Sequence, residues 1–247
     1  MRLALDIGNT NTKFGLFDNR ALSIAGIIRE PDELLPVLGN NKIEIVVISS
    51  VQPEIEASIR SVISAAGVPV TTLTSANDYG FTNEYKTRET LGIDRLCGIA
   101  GALELTESSG SLNLKRERFV ITIDCGTATT INVLDGKRFI GGIIMPGMMT
   151  MAKSLNLNTA QLPEVVPAGD VPLIGASTIE CIKSGIVNST VGLIDRIVNE
   201  LRLDFNGYNM FLTGGNTQYL RKSLKYNFIE NENLVLYGVN RMAEKFL

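Results

Sequence analysis

Two segments of the chain share one pattern: an apolar strand ends in an aspartate, and a turn of small and hydroxyl residues leads into a second strand. The aspartates are Asp6 and Asp124, and each is followed two residues later by a glycine, Gly8 or Gly126. A chain of 247 residues is long enough for one large domain or two smaller ones. The repeat therefore predicts a duplicated α/β domain whose two turns face a common cleft.

Hydrophobic periodicity predicts a similar succession of elements in both halves. The predicted strands are residues 2–6, 12–17, 22–28, 43–49, 68–73, 119–123, a strand after residues 124–130 that ends near residue 134, 138–144 and 210–213. The predicted helices are residues 31–38, 53–66, 91–105, 178–201, a segment after Gly215, and 233–246. A polar stretch at residues 106–118 separates the halves, so we expect domains at residues 1–112 and 113–247.

Composition excludes several classes of function. The chain has no histidine, which rules out Ser-His-Asp and Cys-His nucleophile systems and histidine-ligated zinc. A net charge of −3 argues against nucleic acid and anionic membranes as partners. Cys97, Cys125 and Cys181 lack metal-binding spacing, which predicts reduced, buried thiols in a cytoplasmic protein. We expect no signal peptide and no membrane span, because an acid interrupts the N-terminal apolar run and no run approaches about 20 residues.

The two turns have the chemistry of a triphosphate site. Glycine and small hydroxyl residues let backbone N–H groups approach phosphate oxygens, and an aspartate can hold a hydrated cation beside them. The first predicted grip consists of Asp6, Gly8, Asn9, Thr10, Asn11, Thr12 and Lys13, and the second of Asp124, Gly126 and Thr127. Lys13 is the nearby cation that could reach a phosphate, although it could instead be an exposed strand charge.

Two further motifs are candidates. Gly214 and Gly215 follow a short predicted strand, where an adenine ring could lie against the backbone, or where there is only a strand–helix turn. Gly92-Ile93-Asp94-Arg95 opens an apolar helix. Asp94 could accept a proton from an acceptor hydroxyl and Arg95 could clamp an anionic acceptor, unless the pair is only a helix cap and a surface charge. Phosphoryl transfer needs alignment, charge neutralisation and a base, and these motifs offer all three without histidine.

Taken in order, these motifs resemble type III pantothenate kinase. The resemblance rests on Asp-Ile-Gly-Asn-Thr-Asn-Thr-Lys at residues 6–13, Gly-Ile-Asp-Arg at 92–95, Asp-Cys-Gly-Thr-Ala-Thr-Thr at 124–130 and Thr-Gly-Gly at 213–215. It covers nearly the whole chain. It implies the fold of acetate and sugar kinases, heat-shock chaperone ATPases and actin, with two duplicated ribonuclease-H-like domains and a nucleotide cleft between them.

The resemblance also implies an activity, cofactors and a partner. The activity is ATP-dependent phosphorylation of pantothenate to 4′-phosphopantothenate, the first step of coenzyme A biosynthesis, with Mg²⁺ and a monovalent cation, K⁺ or NH₄⁺. The protein would be a homodimer with its active site at or near the interface. By position Asp94 matches the general base, Asp124 the monovalent-cation ligand, and Asp6 a magnesium ligand, directly or through water.

The remaining residues of the implied site fall into two groups. The ATP contacts are Asp6, Ile7, Gly8, Asn9, Thr10, Asn11, Thr12, Lys13, Thr127, Gly214 and Gly215. The pantothenate contacts are Tyr85, Gly92, Ile93, Asp94, Arg95 and Thr178, the last supplied across the dimer.

The chain departs from the family pattern at two places. Lys86-Thr87-Arg88 stands where an Asn-Pro pair often follows the tyrosine, and Ser177 replaces a common asparagine. Both changes concern the acceptor pocket. The residues are also compatible with two other functions: a small-molecule kinase of the same fold with another acceptor, and a non-catalytic nucleotide-binding regulator.

Overall fold

A computed structural model describes residues 1–109, 119–167, 171–204 and 207–247. Within these ranges the chain is α/β, with two mixed sheets and six α-helices. Its contacts divide it into two units. The first comprises Met1–Leu114, Val133–Gly141 and Asn233–Leu247, and the second Lys115–Asn132 and Gly142–Glu232. The domain boundary predicted between residues 112 and 113 lies outside the described residues.

The first sheet has five strands and the second has six. The strands are β1 (Arg2–Ile7), β2 (Thr12–Asp18), β3 (Ala21–Ile28), β4 (Ile45–Ser50), β5 (Val70–Thr72), β6 (Thr82–Asn83), β7 (Phe119–Cys125), β8 (Ala128–Asp135), β9 (Arg138–Pro146), β10 (Tyr208–Thr213) and β11 (Ile229–Glu230). The helices are α1 (Leu35–Asn40), α2 (Pro53–Ala65), α3 (Ile93–Ser109), α4 (Met148–Asn158), α5 (Thr178–Asp204) and α6 (Leu234–Ala243).

The strand order confirms the predicted duplication. The first sheet runs β3-β2-β1-β4-β5, and the second runs β9-β8-β7-β10-β11 with β6 added beside β9. In the first sheet β1 pairs antiparallel with β2 and parallel with β4. In the second, β7 pairs parallel with β10. The register is also repeated, because Asp6 lies beside Ser49 of β4 and Asp124 lies beside Thr213 of β10.

Each sheet has its own hydrophobic core. In the first unit, apolar residues of β1 and β4 pack with Ile59 and Ile63 of α2. In the second unit, β7 and β10 pack with α4 and with the apolar face of α5. β4 is apolar on both faces and buried, as expected for a strand inside a parallel sheet. None of the described helices is long and apolar enough to cross a membrane.

Two sequence-based expectations were wrong, and one helix was not predicted. The helix predicted after Gly215 is a short 3-10 turn at Thr217–Tyr219, and the Thr217 hydroxyl donates to Glu230 of β11 at 2.7 Å, which ties this segment to the sheet. No helix was predicted at residues 148–158, because the glycines and proline before it interrupt the apolar run, yet α4 begins directly after Gly147. Cys181 is exposed, whereas Cys97 and Cys125 are buried, and all three are free thiols.

Ser177 is a suitable residue for the start of α5. Its hydroxyl accepts a hydrogen bond from the Glu180 N–H at 3.3 Å, and the Glu180 carboxylate accepts one from the Ala176 N–H at 2.7 Å. Serine and asparagine are both favoured helix caps. The departure from the family pattern at residue 177 therefore preserves the helix start.

α3 and α6 approach each other at two glycines. A Cβ atom on Gly238 would collide with the carbonyl oxygen of Cys97, and one on Gly101 would collide with the carbonyl oxygen of Leu234. These neighbours are backbone atoms, which cannot rotate away as a side chain would. The contact therefore requires glycine at both positions, and it fixes how closely α3 packs against α6.

We expect Gly238→Ala to destabilise the fold by about 1–3 kcal/mol, the usual cost of overpacking a close-packed interior. Gly101→Ala should act in the same direction for the same reason. Gly39→Ala in α1 is the matched control, since nothing lies within 4 Å of the added methyl. Urea unfolding followed by circular dichroism measures the effect. Equal unfolding midpoints for Gly238→Ala and Gly39→Ala would contradict the close contact.

Candidate active site

The first predicted loop joins β1 to β2 in a tight turn. The Gly8 N–H donates to the Asn11 carbonyl at 3.1 Å, and the exposed residues Asn9, Thr10 and Asn11 form its tip. Gln52, just before α2, donates from Nε2 to the Asn9 carbonyl at 3.2 Å. Gln52 was not among the predicted site residues, because its link to the loop depends on a parallel strand pairing.

Asp6 lies at the carboxyl end of β1 and is half-buried. The Ser49 hydroxyl donates to its Oδ1 at 3.3 Å, and Lys13 is its register partner on β2. Thr12 is buried, and the Ile7 side chain is fully buried in the core. Ile7 can therefore contribute only backbone atoms to a nucleotide site.

Asp94 is the second residue of α3 and is half-buried. Its Oδ1 accepts a hydrogen bond from the Arg95 N–H at 2.9 Å. Burial raises the pKa of the Asp94 carboxyl, while the Arg95 backbone hydrogen bond and charge oppose that rise. A Cβ atom on Gly92 would collide with Asp94 Oδ1, so glycine at this position leaves room for the carboxylate. A carboxylate with a raised pKa is a stronger base than an exposed one.

Arg95 is buried against aromatic rings. Its guanidinium carbon lies 5.4 Å from the centre of the Tyr85 ring and 6.0 Å from that of Phe139. The Tyr85 ring also faces Gly141, where an added Cβ would lie 3.7 Å from it. These cation–π contacts hold a fixed positive charge beside Asp94, where an anionic acceptor could bind. Lys86, Thr87 and Arg88 after Tyr85 are exposed.

Cys97 of the first unit is influenced electrostatically by both Asp6 and Asp94. Its thiol is fully buried, one helical turn after Asp94. Burial and the negative charges of both aspartates raise the pKa of this thiol well above its ordinary value. The predicted base and the predicted magnesium ligand therefore both act electrostatically on one buried thiol. The sequence alone indicated only a buried structural cysteine.

The second predicted loop lies between β7 and β8 and packs against Gly214, which follows β10. The Gly126 N–H donates to the Ala128 carbonyl at 3.1 Å, and Thr127 is exposed. Gly214 has φ +96°, and a Cβ there would lie 2.6 Å from Asp124 Oδ1. Only glycine readily adopts this conformation at such a distance. The structure therefore brings Gly214 and Asp124 together.

Two residues that hold the second loop were not predicted. Asn216 donates from its backbone to the Cys125 carbonyl at 2.9 Å and from Nδ2 to the Gly126 carbonyl at 3.0 Å. Thr150 in the first turn of α4 donates from Oγ1 to the Thr127 carbonyl at 2.7 Å. Asn216 directly follows the Thr-Gly-Gly motif, which was a usable signal, whereas Thr150 lies in a helix that the sequence did not reveal.

Thr178 belongs to the second unit, whereas Asp94 belongs to the first. It is exposed and lines a surface cavity of about 990 Å³ between α4 and α5. The cavity walls are mainly apolar, and Cys181 lies among them. Leu173 and Ile174, just before α5, are 73% and 82% exposed.

The candidate metal ligands are the aspartates Asp6 and Asp124 at the ends of two strands. Among the described residues no three acidic or cysteine side chains cluster as they would around a metal ion. Asp6 and Asp124 nevertheless supply the hard oxygen atoms that Mg²⁺ and K⁺ prefer, and Mg²⁺ in kinases is commonly held by one or two carboxylates together with substrate phosphates. The donor chemistry therefore fits cations that arrive with a nucleotide better than a preformed metal cage.

Comparison with known proteins gives a consistent family. The model of the family described as type III pantothenate kinase matches residues 2–200. A type III pantothenate kinase from Chlorobaculum tepidum is 34% identical, with 96% of this chain and 92% of the relative covered. One from Flavobacterium johnsoniae is 30% identical, with 98% and 96% covered.

Solved structures share the fold at low sequence identity. A Campylobacter jejuni chain assigned to the Baf family of transcriptional activators has a TM-score of 0.65 at 18% identity, with 99% of this chain and 98% of that chain covered. A Listeria monocytogenes chain assigned as an N-acetylmannosamine kinase has a TM-score of 0.52 at 14% identity, with 100% and 99% covered. With the repeated strand order, these similarities confirm the predicted fold class of two ribonuclease-H-like domains.

Asp94→Asn should stabilise the folded protein at neutral pH. Because burial raises the pKa of Asp94 above its ordinary value of 3.8, its ionisation costs stability as the pH rises from that value through the folded-state pKa. The amide variant lacks this cost and can still accept the Arg95 N–H. Thermal unfolding at pH 7 should give a higher midpoint for Asp94→Asn than for wild type, and the difference should shrink toward pH 4.

The exposed Glu89 provides the control, since Glu89→Gln should leave the unfolding midpoint nearly unchanged at pH 7. A lower midpoint for Asp94→Asn than for wild type at pH 7 would show that the charged form of Asp94 is the one that folding favours.

Proposed function

The chain belongs to the type III pantothenate kinase family, and we propose from this premise that it phosphorylates pantothenate with ATP, using Asp94 as the general base. The product is 4′-phosphopantothenate, in the first step of coenzyme A biosynthesis. The observation that carries the base assignment is the half-buried Asp94 carboxylate at the start of α3, whose pKa is raised by burial and which lies beside the buried Arg95.

The proposed reaction transfers one proton and one phosphoryl group. The Asp94 carboxylate accepts the proton of the acceptor hydroxyl, whose oxygen forms a bond to the γ-phosphorus as the bond from that phosphorus to the leaving oxygen of ADP breaks. Arg95, held by Tyr85 and Phe139, binds the anionic end of pantothenate. Gly92 leaves space for the Asp94 carboxylate to face the acceptor.

The phosphate loops supply the nucleotide contacts in this proposal. In the first unit the exposed loop tip at residues 9–11 offers backbone N–H groups, with Lys13 on the adjoining strand. In the second unit Thr127 offers a hydroxyl, and Gly214 and Gly215 offer backbone without side chains against which adenine can lie. Backbone amides and hydroxyl groups suit phosphate oxygens because they approach closely and do not repel the anion.

Two cations complete the proposed site. Asp6 would hold Mg²⁺, directly or through water, and Asp124 would hold K⁺ or NH₄⁺. When bound, these cations neutralise the phosphate charge that the carboxylates would otherwise repel. The Ser49 hydroxyl on Asp6 and the close approach of Gly214 to Asp124 support fixed carboxylate positions.

Asp94→Asn should lower turnover by about 10²–10⁴, the usual contribution of a general base. A coupled ADP-release assay with ATP, Mg²⁺ and K⁺, run with and without pantothenate, measures the turnover. In the same assay, replacing K⁺ with Na⁺ should lower the rate of the wild type. Glu89→Gln removes an exposed carboxylate just before the motif and should keep wild-type turnover. Undiminished turnover in Asp94→Asn would exclude it as the base.

The same assay separates the alternatives. A kinase of this fold with another substrate would release ADP with a different hydroxyl acceptor and not with pantothenate. A nucleotide-binding regulator would bind ATP without acceptor-dependent ADP release. The carboxylate at Asp94 favours the kinase, because a protein that only binds nucleotide does not need a half-buried base beside an anion-binding arginine.

We also propose a homodimer formed through the surface at the start of α5. Leu173 and Ile174 are highly exposed, and Ile179 is 49% exposed beside Thr178. Together with the apolar cavity, they form the kind of surface that monomeric proteins rarely leave in water. A dimer would cover this surface and would let Thr178 contribute to the partner's pantothenate site.

Ile174→Asp should convert the dimer to a monomer and lower turnover, because it puts a charge on the apolar surface. Size-exclusion chromatography with light scattering measures the mass. Ile24→Asp is the control, since Ile24 is an isoleucine of β3 in the first unit that is 52% exposed. A monomeric wild type, or an Ile174→Asp variant that remains a dimer, would count against this interface.

A further inference from the structure

Ser49 is a polar residue in a strand whose preceding residues form the core. Val46, Val47 and Ile48 are buried, and Ser49 is fully buried after them. A buried hydroxyl is unfavourable unless it forms hydrogen bonds, and an alanine or valine would suit an apolar core better. The partners of Ser49 therefore indicate what the hydroxyl contributes.

The hydrogen bond of the Ser49 side chain leads to the candidate active site. The parallel pairing of β1 with β4 places Ser49 beside Asp6, and its Oγ donates to Asp6 Oδ1 at 3.3 Å. Ser49 is itself fully buried, so it donates this hydrogen bond from inside the packed sheet.

The second sheet repeats this arrangement in its register. Thr213 of β10 lies beside Asp124 in the pairing that places Ser49 beside Asp6. Thr213 is also buried at the end of an apolar strand. Each loop aspartate therefore has a buried hydroxyl residue at the matching position of the adjacent parallel strand. A packing accident at one position does not explain its occurrence in both sheets.

We propose that Ser49 is a positioning residue that fixes the orientation of the Asp6 carboxylate for the magnesium–nucleotide complex. The inference rests on the proposed function, because it takes Asp6 as the magnesium ligand. A carboxylate held by a hydrogen bond loses less rotational freedom when a cation binds, so the bound state is reached at lower cost. Ser49 acts through Asp6 and touches neither substrate nor metal.

Ser49→Ala should weaken binding of the non-hydrolysable analogue AMP-PNP about tenfold in the presence of Mg²⁺, the order expected for loss of one hydrogen bond to a charged group. Isothermal titration calorimetry measures the affinity. In EDTA, without Mg²⁺, the affinity should be the same for wild type and variant, because the effect passes through the metal ligand. The KM for pantothenate should change less than twofold.

Thr106→Val is the matched control. Thr106 is a buried hydroxyl residue of α3 whose Oγ1 donates to the Ala102 carbonyl at 2.7 Å, in the same unit. Removing the Thr106 hydroxyl in this variant should leave the Mg²⁺-dependent nucleotide affinity unchanged. Ser49→Cys keeps a hydrogen-bond donor of the same connectivity, although a weaker and somewhat larger one, so its affinity should be intermediate. It decides the question if Ser49→Ala does not fold.

The proposal is overturned if Ser49→Ala binds Mg²⁺–AMP-PNP as tightly as the wild type does. It is also overturned if the variant loses the same amount of nucleotide affinity with and without Mg²⁺. Either result would leave Ser49 a purely structural residue. These titrations need no acceptor substrate. Failure of the wild type to phosphorylate pantothenate would therefore refute the proposed function without deciding the role of Ser49.

Discussion

The close backbone contact between α3 and α6 is the constraint on which the first unit depends. Gly238 lies against the carbonyl of Cys97, and Asp94 is one helical turn before that residue. Since protein interiors are close-packed, a displacement at Gly238 would be transmitted to α3 and to the carboxylate at its start. The position of Asp94 is thus set by the last helix of the chain, which also packs on β1 and β4.

The two sheets repeat the same arrangement of strand, aspartate and loop. In each sheet, a central strand has an aspartate at its carboxyl end. The turn to the next strand in the chain forms the loop, and the parallel strand on the other side supplies a hydroxyl residue. Ligands of open α/β sheets bind at the carboxyl ends of strands, because backbone groups there are not used in the sheet. The units differ in what they add: the first adds Asp94 and Arg95 on α3, and the second adds α4, α5 and the Gly214 turn.

The electrostatics of the first unit depend on carboxylates and arginine, since the chain has no histidine. The negative charges of Asp6 and Asp94 both raise the pKa of the buried Cys97 thiol. Arg95 is held by two aromatic rings, so its charge stays beside Asp94. Burial that raises the pKa of Asp94 favours proton abstraction and costs stability at neutral pH, as is common at functional sites.

The sequence by itself determined the two loops, the aspartates that open them and the helix whose first turn contains Asp94, because each is a local pattern of strand, turn or cap residues. It did not reveal α4, because the glycines and proline just before this helix are typical of a loop. It also did not reveal the 3-10 turn at Thr217, because this turn is held by a hydrogen bond to Glu230. Tertiary structure alone decided that Ser49 meets Asp6 and that Gly238 meets Cys97. Such contacts join residues far apart in the chain, and their partners are selected by strand register and helix packing, which no local periodicity encodes.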